Sequence, residues 1–220
     1  MPDTTQTARP RRARGEEEKA ARRQAILDAA RELFADSGGE VPSVDQVARL
    51  AGLAKGTVYL YFGAKEEMFL ALLTQELGDW VAFIAEGLQA GPLNAEEIAR
   101  RMTEDLLERK IMLRLAAQCH GTLERQVPEA AVVAFKQATS GGLAQLGALV
   151  EERFPGVRPG EGTALLLQTY ALIIGLWQLA DPPRAARAVV SRPEFSKFKP
   201  DFAATVEPGL AALLRAVLDN

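Results

Sequence analysis

The sequence predicts an all-α protein with a small N-terminal domain and a larger helical domain behind it. Apolar residues recur at helical spacing along most of the chain, and caps or glycine and proline breaks separate the stretches. No stretch shows the strict alternation that is typical of strands. The 220 residues are 48% hydrophobic and 25% charged, which suffices for a small module and a second core.

The first predicted helix begins at Glu16 and ends at Ser37-Gly38-Gly39, where a glycine can adopt the left-handed cap. Residues 1–15 hold too few apolar side chains to offset the entropy of ordering, so we expect a disordered arm there. The arm is basic, because it carries several arginines: Arg9, Arg11, Arg12 and Arg14.

Residues 43–62 predict two short helices around a glycine turn. Ser43 and Gln46 fit a capping box, Gly52 permits the sharp turn, and Val58 and Phe62 anchor the second helix. The second helix carries side chains that can touch a phosphate or a base edge: Lys55, Thr57, Tyr59 and Tyr61, with Lys65 one turn later. Of these, Lys55, Thr57 and Tyr59 are expected to face outward. Such a helix pair is a helix-turn-helix, which docks in the DNA major groove.

The rest of the chain predicts a larger set of helices, bounded by prolines, glycines and an asparagine cap at Asn94. Gly141-Gly142 should loosen one of them, and Pro208 should kink the last or mark a second start. Residues 192–200 are expected to form a basic, aromatic loop. The predicted helices are 65–87, 94–109, one running through Gly121, 128–154, 161–180, 184–191 and 201–218.

The predicted helix 161–180 is apolar on nearly every face. Its apolar run, from Ala164 to Ala180, is slightly short for a membrane span and is interrupted by Gln168 and Gln178, so we expect a deeply buried helix. Burial within one subunit is possible. A symmetric partner that covers the outer side, in a four-helix bundle with 201–218, explains the pattern better and predicts a homodimer.

The charge distribution favours a local contact with nucleic acid over a general one. The net charge of the chain is −3, but residues 1–65 contain 11 Lys/Arg against 9 Asp/Glu, a net of +2, and the remainder carries −5. The single cysteine excludes an intramolecular disulfide and the usual cysteine spacings of metal sites, and the N-terminus lacks the apolar core of a signal peptide. We therefore expect a cytoplasmic protein without a metal or other cofactor.

The pattern resembles the tetracycline-repressor (TetR) family of bacterial transcriptional regulators. The resemblance is carried by Ile26–Phe34, by Ser43-Val-Asp-Gln-Val-Ala, by Ala51–Phe62 and by Lys65-Glu-Glu-Met-Phe69. It implies a three-helix DNA-binding head at 16–63 and a helical effector-binding and dimerisation domain at 64–220. Two residues depart from the family pattern: Ala64 stands where a capping serine or asparagine is common, and Leu60 where a polar or basic residue is common.

The expected contacts with double-stranded DNA follow from this reading. Lys55 can reach a guanine or a phosphate, Gly56 lets the backbone approach, and Leu60 can contact a thymine methyl. The others would hold phosphates: Ser43 with the amides behind it, Thr57, Tyr59, Tyr61 and Lys65. The arginine arm would cross the backbone or enter a minor groove, and a solvated tail is an equal alternative. Two heads about one DNA turn apart (~35 Å) would read a palindromic operator.

An apolar pocket in the body is the second functional expectation. The candidate lining residues are Trp80, Phe83, Met102, Leu106, Met112, Cys119, His120, Phe135, Tyr170 and Trp177. A pocket of this composition suits a small lipophilic or aromatic effector that releases a repressor from its operator. Aromatic and methionine residues at helical spacing are more often core, and His120 is more often a structural histidine than a ligand contact.

Two other classes compete with the regulator. An all-α enzyme would use His120 and Cys119 or a carboxylate, but no Ser/His/Asp or metal constellation supports catalysis, so we expect no enzyme. A helical protein-interaction module would direct the tyrosines toward protein, and Lys55 with the arginine arm weighs against it.

Overall fold

The structure, a computed structural model, describes residues 11–91 and 94–218, with side chains from Gly15 onward, and every regular element in these ranges is helical. This confirms the predicted fold class. The longer elements are α1 (Arg11–Asp36), α2 (Val44–Leu50), α3 (Lys55–Tyr59), α4 (Lys65–Gln89), α5 (Ala95–Glu108), α6 (Lys110–Gln118), α7 (Glu129–Arg153), α8 (Glu161–Ala180), α9 (Arg184–Val190) and α10 (Phe202–Leu218). Between them lie a π-helical turn at Cys119–Leu123 and 3₁₀ turns at Glu124–Gln126 and Pro193–Phe198.

Helix α1 begins at Arg11, ahead of the predicted start at Glu16. Residues 11–15 therefore continue the helix and do not belong to an arm. The prediction gave weight to the missing apolar side chains, but arginine, alanine and glutamate are strong helix formers and no proline follows Pro10 in this stretch. Residues 1–10 of the predicted arm lie outside the described part of the chain.

The head has a small core of its own. Ile26, Leu27 and Phe34 on α1 are fully buried and pack with the apolar residues of α2 and α3. Helix α4 closes this core from the other side, since the ring of Phe69 lies 5.7 Å from that of Phe34. The first turns of α4 therefore belong physically to the head, although the sequence suggests a boundary at residue 64.

The start of α4 is held in an unexpected way. Ala64 occupies the N-cap position and makes no side-chain capping bond, as expected from its alanine side chain. The carboxylate of Glu67 instead accepts a hydrogen bond of 2.8 Å from the backbone N–H of Gly63. This bond reaches the residue before the N-cap, so it ties the first turn of α4 to the preceding chain and does not replace the capping bond that a serine would make.

Two body helices are continuous through the residues where the sequence predicts a looser helix, Gly141-Gly142, or a kink or second start, Pro208. Helix α7 runs unbroken through Gly141 and Gly142, since Gly142 faces Val81 of α4 and packing outweighs the low helix propensity of glycine. Helix α10 likewise continues through Pro208, held by Val206 and Leu210, which are fully buried on either side. The loop predicted at 192–200 contains a short 3₁₀ helix, and the helix predicted through Gly121 ends as α6 at Gln118 before the π turn.

Helices α7 and α8 cross at unusually close range. A Cβ atom added at Gly147 would lie 2.5 Å from the Thr163 hydroxyl, and one added at Gly162 would lie 2.3 Å from the carbonyl oxygen of Gly147. No side chain fits in such a space. The two backbones are therefore in direct contact, which fixes the position of α8 on the body.

Two of the described helices, α4 and α8, are long and apolar enough to cross a membrane by length and composition. Helix α4 serves as the central helix of this fold. In α8 only 22% of the apolar window is buried, so the expectation of a deeply buried helix is wrong for a single subunit. Leu167 and Leu179 are about half exposed, at 53% and 50%. Helix α8 thus presents an apolar face that its own chain does not cover.

Candidate nucleic-acid interface and body cleft

The turn between α2 and α3 is built as the sequence predicts. Ser43 caps α2 in a reciprocal capping box, with its hydroxyl oxygen accepting from the Gln46 N–H at 3.3 Å and its own N–H donating to the Gln46 side chain at 3.0 Å. Gly52 adopts φ +68°, a conformation that favours glycine, and the next N–H, of Leu53, returns to the carbonyl of Ala48. Helix α3 therefore leaves α2 at a sharp, fixed angle.

One side of helix α3 packs against the head, and the other side is exposed to solvent. Val58, 1% exposed, and Phe62, 2% exposed, anchor it to the head. Lys55 and Gly56 are exposed, Tyr59 is 47% exposed and Leu60 is 81% exposed. A Cβ atom at Gly56 would meet nothing within 4 Å, so the protein's own packing does not require a glycine there. This outward surface of α3 is free to meet an external partner.

The remaining residues that were predicted to contact DNA are less exposed to solvent or are engaged in other contacts. Thr57, Tyr61 and Lys65 are partly buried, and Tyr61 packs against the head core. The Lys65 ammonium lies 3.7 Å from the carboxylate of Glu66. The Ser43 hydroxyl is already used in the capping box, so a phosphate at this point would meet the backbone amides of α2.

The head and body are joined by a largely buried ion pair. Arg31 of α1 donates to the carboxylate of Glu76 on α4, whose side chain is 6% exposed. Burial raises the pKa of the Glu76 carboxyl above its usual range, although the charge of Arg31 opposes this; Asp79 and Arg109 add smaller, opposing effects. The sequence signal for this pair is an acid placed at helical spacing among the apolar residues of α4, and our sequence reasoning missed it.

A second contact joins the body to the turn after α1. The side-chain amide of Gln118, at the end of α6, donates to the carbonyl of Gly39 at 2.9 Å. Arg114, one turn earlier, packs over Gly39 and forms an ion pair of 2.8 Å with Asp181, at the end of α8. The end of α8, helix α6 and the head are thus linked by a continuous set of polar contacts.

The body contains a cleft of about 590 Å³ between α4 and α5. Its walls are mostly apolar, and charged residues stand at its rim. These rim charges are largely engaged already: Arg101 bonds Glu97 at 2.8 Å, Glu104 bonds Arg100 at 2.5 Å, and Asp105 bonds Arg109 at 2.5 Å. The lining residues are Phe83, Ile84, Glu86, Gly87, Leu88, Ala90, Ile98, Arg101, Met102, Glu104 and Asp105.

A smaller internal cavity of about 20 Å³ lies behind the cleft. The two share a wall made of Ile84, Leu88, Ile98 and Met102. Beyond that wall the cavity reaches α7, α8 and α10. Thr169 of α8 lines it, and the Thr169 hydroxyl is buried without a hydrogen-bond partner in the described structure. Such a group is costly when it is left unpaired, and it marks a polar point in an otherwise apolar space.

The predicted pocket residues are distributed over several places. Phe83 and Met102 line the cleft, and Met102 also lines the inner cavity. Tyr170 is partly buried, and burial raises its pKa to about 12. His120 is exposed on the surface. The others are buried in the core: Trp80, Leu106, Met112, Cys119, Phe135 and Trp177. The sequence could have indicated the cleft residues of α5, because Ile98 and Met102 stand four residues apart and therefore share one face of the helix.

A polar cluster surrounds Cys119 at the π turn. Burial, with a smaller contribution from the charge of Glu124, raises the pKa of the Cys119 thiol to about 12. Burial would also raise the pKa of Glu124, but hydrogen bonds from Lys136, His120 and Cys119 prevail and lower it. The thiol is therefore protonated and the carboxylate charged at neutral pH.

Comparison with known proteins agrees with the geometry. Residues 26–72 match the family described as bacterial regulatory proteins, tetR family, and residues 74–218 match the family described as tetracyclin repressor-like, C-terminal domain. A helix-turn-helix head on a helical body of this kind defines a DNA-binding transcriptional regulator. The chain belongs to the TetR family of bacterial regulators, and the resemblance found in residues 26–69 is confirmed.

Curated relatives share only part of their length with the chain. The Fatty acid metabolism regulator protein of Bacillus subtilis is 34% identical over 74 residues, which cover 34% of this chain and 38% of the relative. The HTH-type transcriptional regulator RutR of Escherichia coli K12 is 39% identical over 62 residues, which cover 28% of this chain and 29% of RutR.

A solved structure matches over most of the chain. The transcriptional regulator FadR from Bacillus subtilis, in complex with stearoyl-CoA, superposes with a TM-score of 0.53 at 21% identity and covers 87% of this chain and 97% of that chain. At this identity the match shows a shared fold.

The Arg31–Glu76 pair leads to a pH-dependent prediction. Arg31→Met leaves the Glu76 carboxylate buried without its main cation. We expect the free energy of unfolding at pH 7 to fall by about 2–3 kcal/mol, less than for a fully buried pair because the Arg31 side chain is 35% exposed. The pKa of Glu76 is higher in the folded protein than in the unfolded chain. The stability that Glu76 contributes is therefore fully present at pH values below the unfolded-state pKa, and it is lost as pH rises through the folded-state pKa. Without Arg31 that pKa rises further, so the deficit should shrink near pH 4, where Glu76 is protonated.

Urea unfolding curves at several pH values measure this deficit. The matched control is the double variant Arg31→Met, Glu76→Met, which removes both charges and should recover most of the lost stability. A deficit of equal size at every pH would contradict the assignment to the Glu76 charge.

Proposed function

We propose that the protein is a repressor whose affinity for a palindromic operator falls when a lipophilic effector occupies the cleft between α4 and α5. The observation that carries the proposal is the course of α4. Its first turns are buried in the core of the DNA-binding head, and Ile84 and Leu88 near its other end form the cleft wall. A ligand that moves the cleft wall must therefore act on the head through one rigid helix.

The DNA contacts are proposed from the exposure of each side chain. Lys55 reaches a base edge or a phosphate from the start of α3, and Leu60 contacts a thymine methyl. Tyr59, Thr57 and Lys65 hold phosphates on either side. The proposed contact of Tyr61 is restricted to its hydroxyl, since its ring packs against the head. Ser43 acts through the amides behind it.

The first test is Lys55→Ala, measured against an operator duplex selected from random DNA. Loss of a base contact costs about 1–3 kcal/mol, which corresponds to roughly a tenfold to hundredfold rise in Kd. The control is Lys110→Ala, which removes the same charge from an exposed site on α6 in the body. Equal Kd values for wild type and Lys55→Ala would refute the role of Lys55, and equal losses in both variants would reduce it to a general charge effect.

We further propose that α8 and α10 form the homodimer interface. The face of α8 that its own chain leaves open combines small residues, Ala164, Ala171 and Gly175, with Leu167 and Leu179. Small residues allow a symmetry-related helix to approach closely, and the flanking leucines supply apolar area. Such a partner would explain why α8 is apolar on nearly every face.

Leu167→Glu tests this interface. Two-fold symmetry places the new carboxylate in the interface twice, where its desolvation is costly, so we expect a shift from dimer to monomer at micromolar concentration and weaker operator binding. Leu107→Glu, on α5 at a leucine that is 39% exposed, is the control and should leave the dimer intact. Sedimentation velocity measures the mass. A wild-type monomer at micromolar concentration would exclude the dimer.

The effector class is proposed from the walls and rim of the cleft. A volume of about 590 Å³ accommodates a drug-sized molecule. Because ion pairs already engage Arg101, Glu104 and Asp105, little charge is left to recognise a polyanion, and apolar contact must supply the affinity. An apolar tail that displaces Met102 would reach the inner cavity and the Thr169 hydroxyl. FadR was crystallised with stearoyl-CoA, and we carry over only the lipophilic tail of that ligand.

The proposed coupling follows from differential binding. The effector binds the form in which α4 and α5 stand apart, and the operator binds the form in which the two heads keep one-turn spacing. Each ligand then weakens the other by the same factor, typically about 5- to 150-fold. The contact from Gln118 to Gly39 gives α6 a part in this movement, since it ties the body directly to the turn before α2.

Gly87→Phe introduces a ring into the cleft, because Gly87 lines it and a Cβ at this position meets nothing within 4 Å. We expect at least a tenfold loss of affinity for the neutral fluorescent probe N-phenylnaphthylamine, with operator affinity unchanged. Gly78→Phe on the same helix is the control, since Gly78 is exposed and does not line the cleft. Fluorescence titration and operator binding with saturating probe measure the two effects. Equal probe affinity in both variants would exclude the cleft, and wild-type operator binding unaffected by bound probe would refute the coupling.

A further inference from the structure

The corner after α6 brings together side chains that are absent from the proposed DNA surface and from the cleft. Cys119 and His120 open the π turn, and Glu124 begins the 3₁₀ turn that follows. One ligand atom of each, the Cys119 sulfur, a His120 ring nitrogen and a Glu124 carboxylate oxygen, lies within 4.8 Å of the other two. Single π turns inside helical segments occur frequently at functional sites.

The spacing of these atoms fits a small tetrahedral ion. Glu124 Oε1 lies 3.4 Å from Cys119 Sγ, and Glu124 Oε2 lies 3.1 Å from His120 Nδ1. Around a tetrahedral Zn²⁺ with its usual bond lengths, neighbouring ligand atoms are about 3.2–3.7 Å apart. The sulfur and the ring nitrogen each lie at this spacing from one oxygen of Glu124, and all three groups lie within 4.8 Å, so side-chain rotation can bring them around one ion.

We propose that Cys119, His120 and Glu124 bind a thiophilic divalent cation of the Zn²⁺ type. Sulfur, imidazole and one carboxylate are the ligands that suit such ions, whereas Mg²⁺ and Ca²⁺ prefer oxygen alone. On binding, the metal–sulfur bond forms as the thiol proton leaves to solvent. Three protein ligands leave a fourth position for water, and the exposed side of His120 opens to solvent.

Lys136 of α7 gives this site a distinctive property. Its ammonium lies 2.6 Å from Glu124 Oε1 and is 50% exposed, so it occupies the carboxylate in the absence of an ion and can move away into solvent. The lysine therefore competes with the metal. Removing its charge should strengthen metal binding, whereas the loss of a merely structural ion pair would not.

The location also connects the site to the rest of the molecule. Gln118, the residue before Cys119, is the one that donates to Gly39 of the head. A bound ion would stiffen the end of α6 at that contact. Metal binding can be measured in the absence of operator and effector, so its test requires neither.

Cobalt(II) provides a direct test, because the chain has one cysteine and one histidine. Full-length protein carrying no histidine tag should show a near-ultraviolet sulfur-to-cobalt charge-transfer band that saturates at one ion per chain. The band should disappear in Cys119→Ser. Zn²⁺ affinity, measured by competition with a chelating indicator, should fall at least tenfold in His120→Ala and rise several-fold in Lys136→Met.

Folding does not obscure the result, since the His120 side chain is 68% exposed and its removal leaves the core intact. Circular dichroism verifies this for each variant. The absence of a charge-transfer band in wild type would overturn the proposal. So would unchanged Zn²⁺ affinity in the double variant His120→Ala, Glu124→Gln. Unchanged or weaker Zn²⁺ binding in Lys136→Met would refute the competition. None of these outcomes bears on DNA binding.

Discussion

The rest of the structure depends on the continuity of α4. Met68 and Phe69 are fully buried near its start, and Ile84 and Leu88 are buried near its end. An α-helix resists bending because each backbone hydrogen bond would have to stretch, so the two ends move as one body. The hydrogen bond from the Gly63 N–H to the Glu67 carboxylate ties the first turn of α4 to the chain that arrives from α3. The head is therefore not a separate module joined by a linker.

The polar contacts between head and body restrict how α4 can move. Arg31 and Glu76 meet near the middle of α4, so a shift along the helix axis would separate a largely buried charge from its partner. A rotation about this point keeps the pair together while the cleft end and the head end swing in opposite directions. The Gln118 to Gly39 hydrogen bond lies away from this point and responds to the same rotation. In the proposed coupling, this partly buried ion pair therefore favours a rotation of α4 over a shift along its axis.

Local signals in the sequence were sufficient for the geometry of the helix-turn-helix. The capping box at Ser43, the turn at Gly52 and the anchors Val58 and Phe62 each act over a few residues, and each stands as predicted. Predictions failed where packing between distant helices decides the outcome. The alternative of a second start at Pro208 fails because buried neighbours hold α10 continuous through it, and Gly141 likewise lies inside an unbroken α7.

The residues that line the cleft also depend on packing between distant helices. Most of the aromatic residues that suggested a pocket are core, and the walls are made by Ile98 and Met102 facing Ile84 and Leu88. Which helix faces meet cannot be read from one helix at a time. The same holds for the Cys119, His120 and Glu124 cluster, because its geometry depends on a π turn that has no clear sequence signature.

The glycine crossing of α7 and α8 has a consequence for how such a protein can diversify. Where Gly147 and Gly162 bring two backbones into contact, no larger residue can be accommodated, so this part of the frame is closed to change. The cleft between α4 and α5 is open, and a Cβ atom at Gly87 would have free space around it. After gene duplication, mutations could accumulate in the cleft and create responses to new compounds, while the immobile crossing preserves the architecture that carries them.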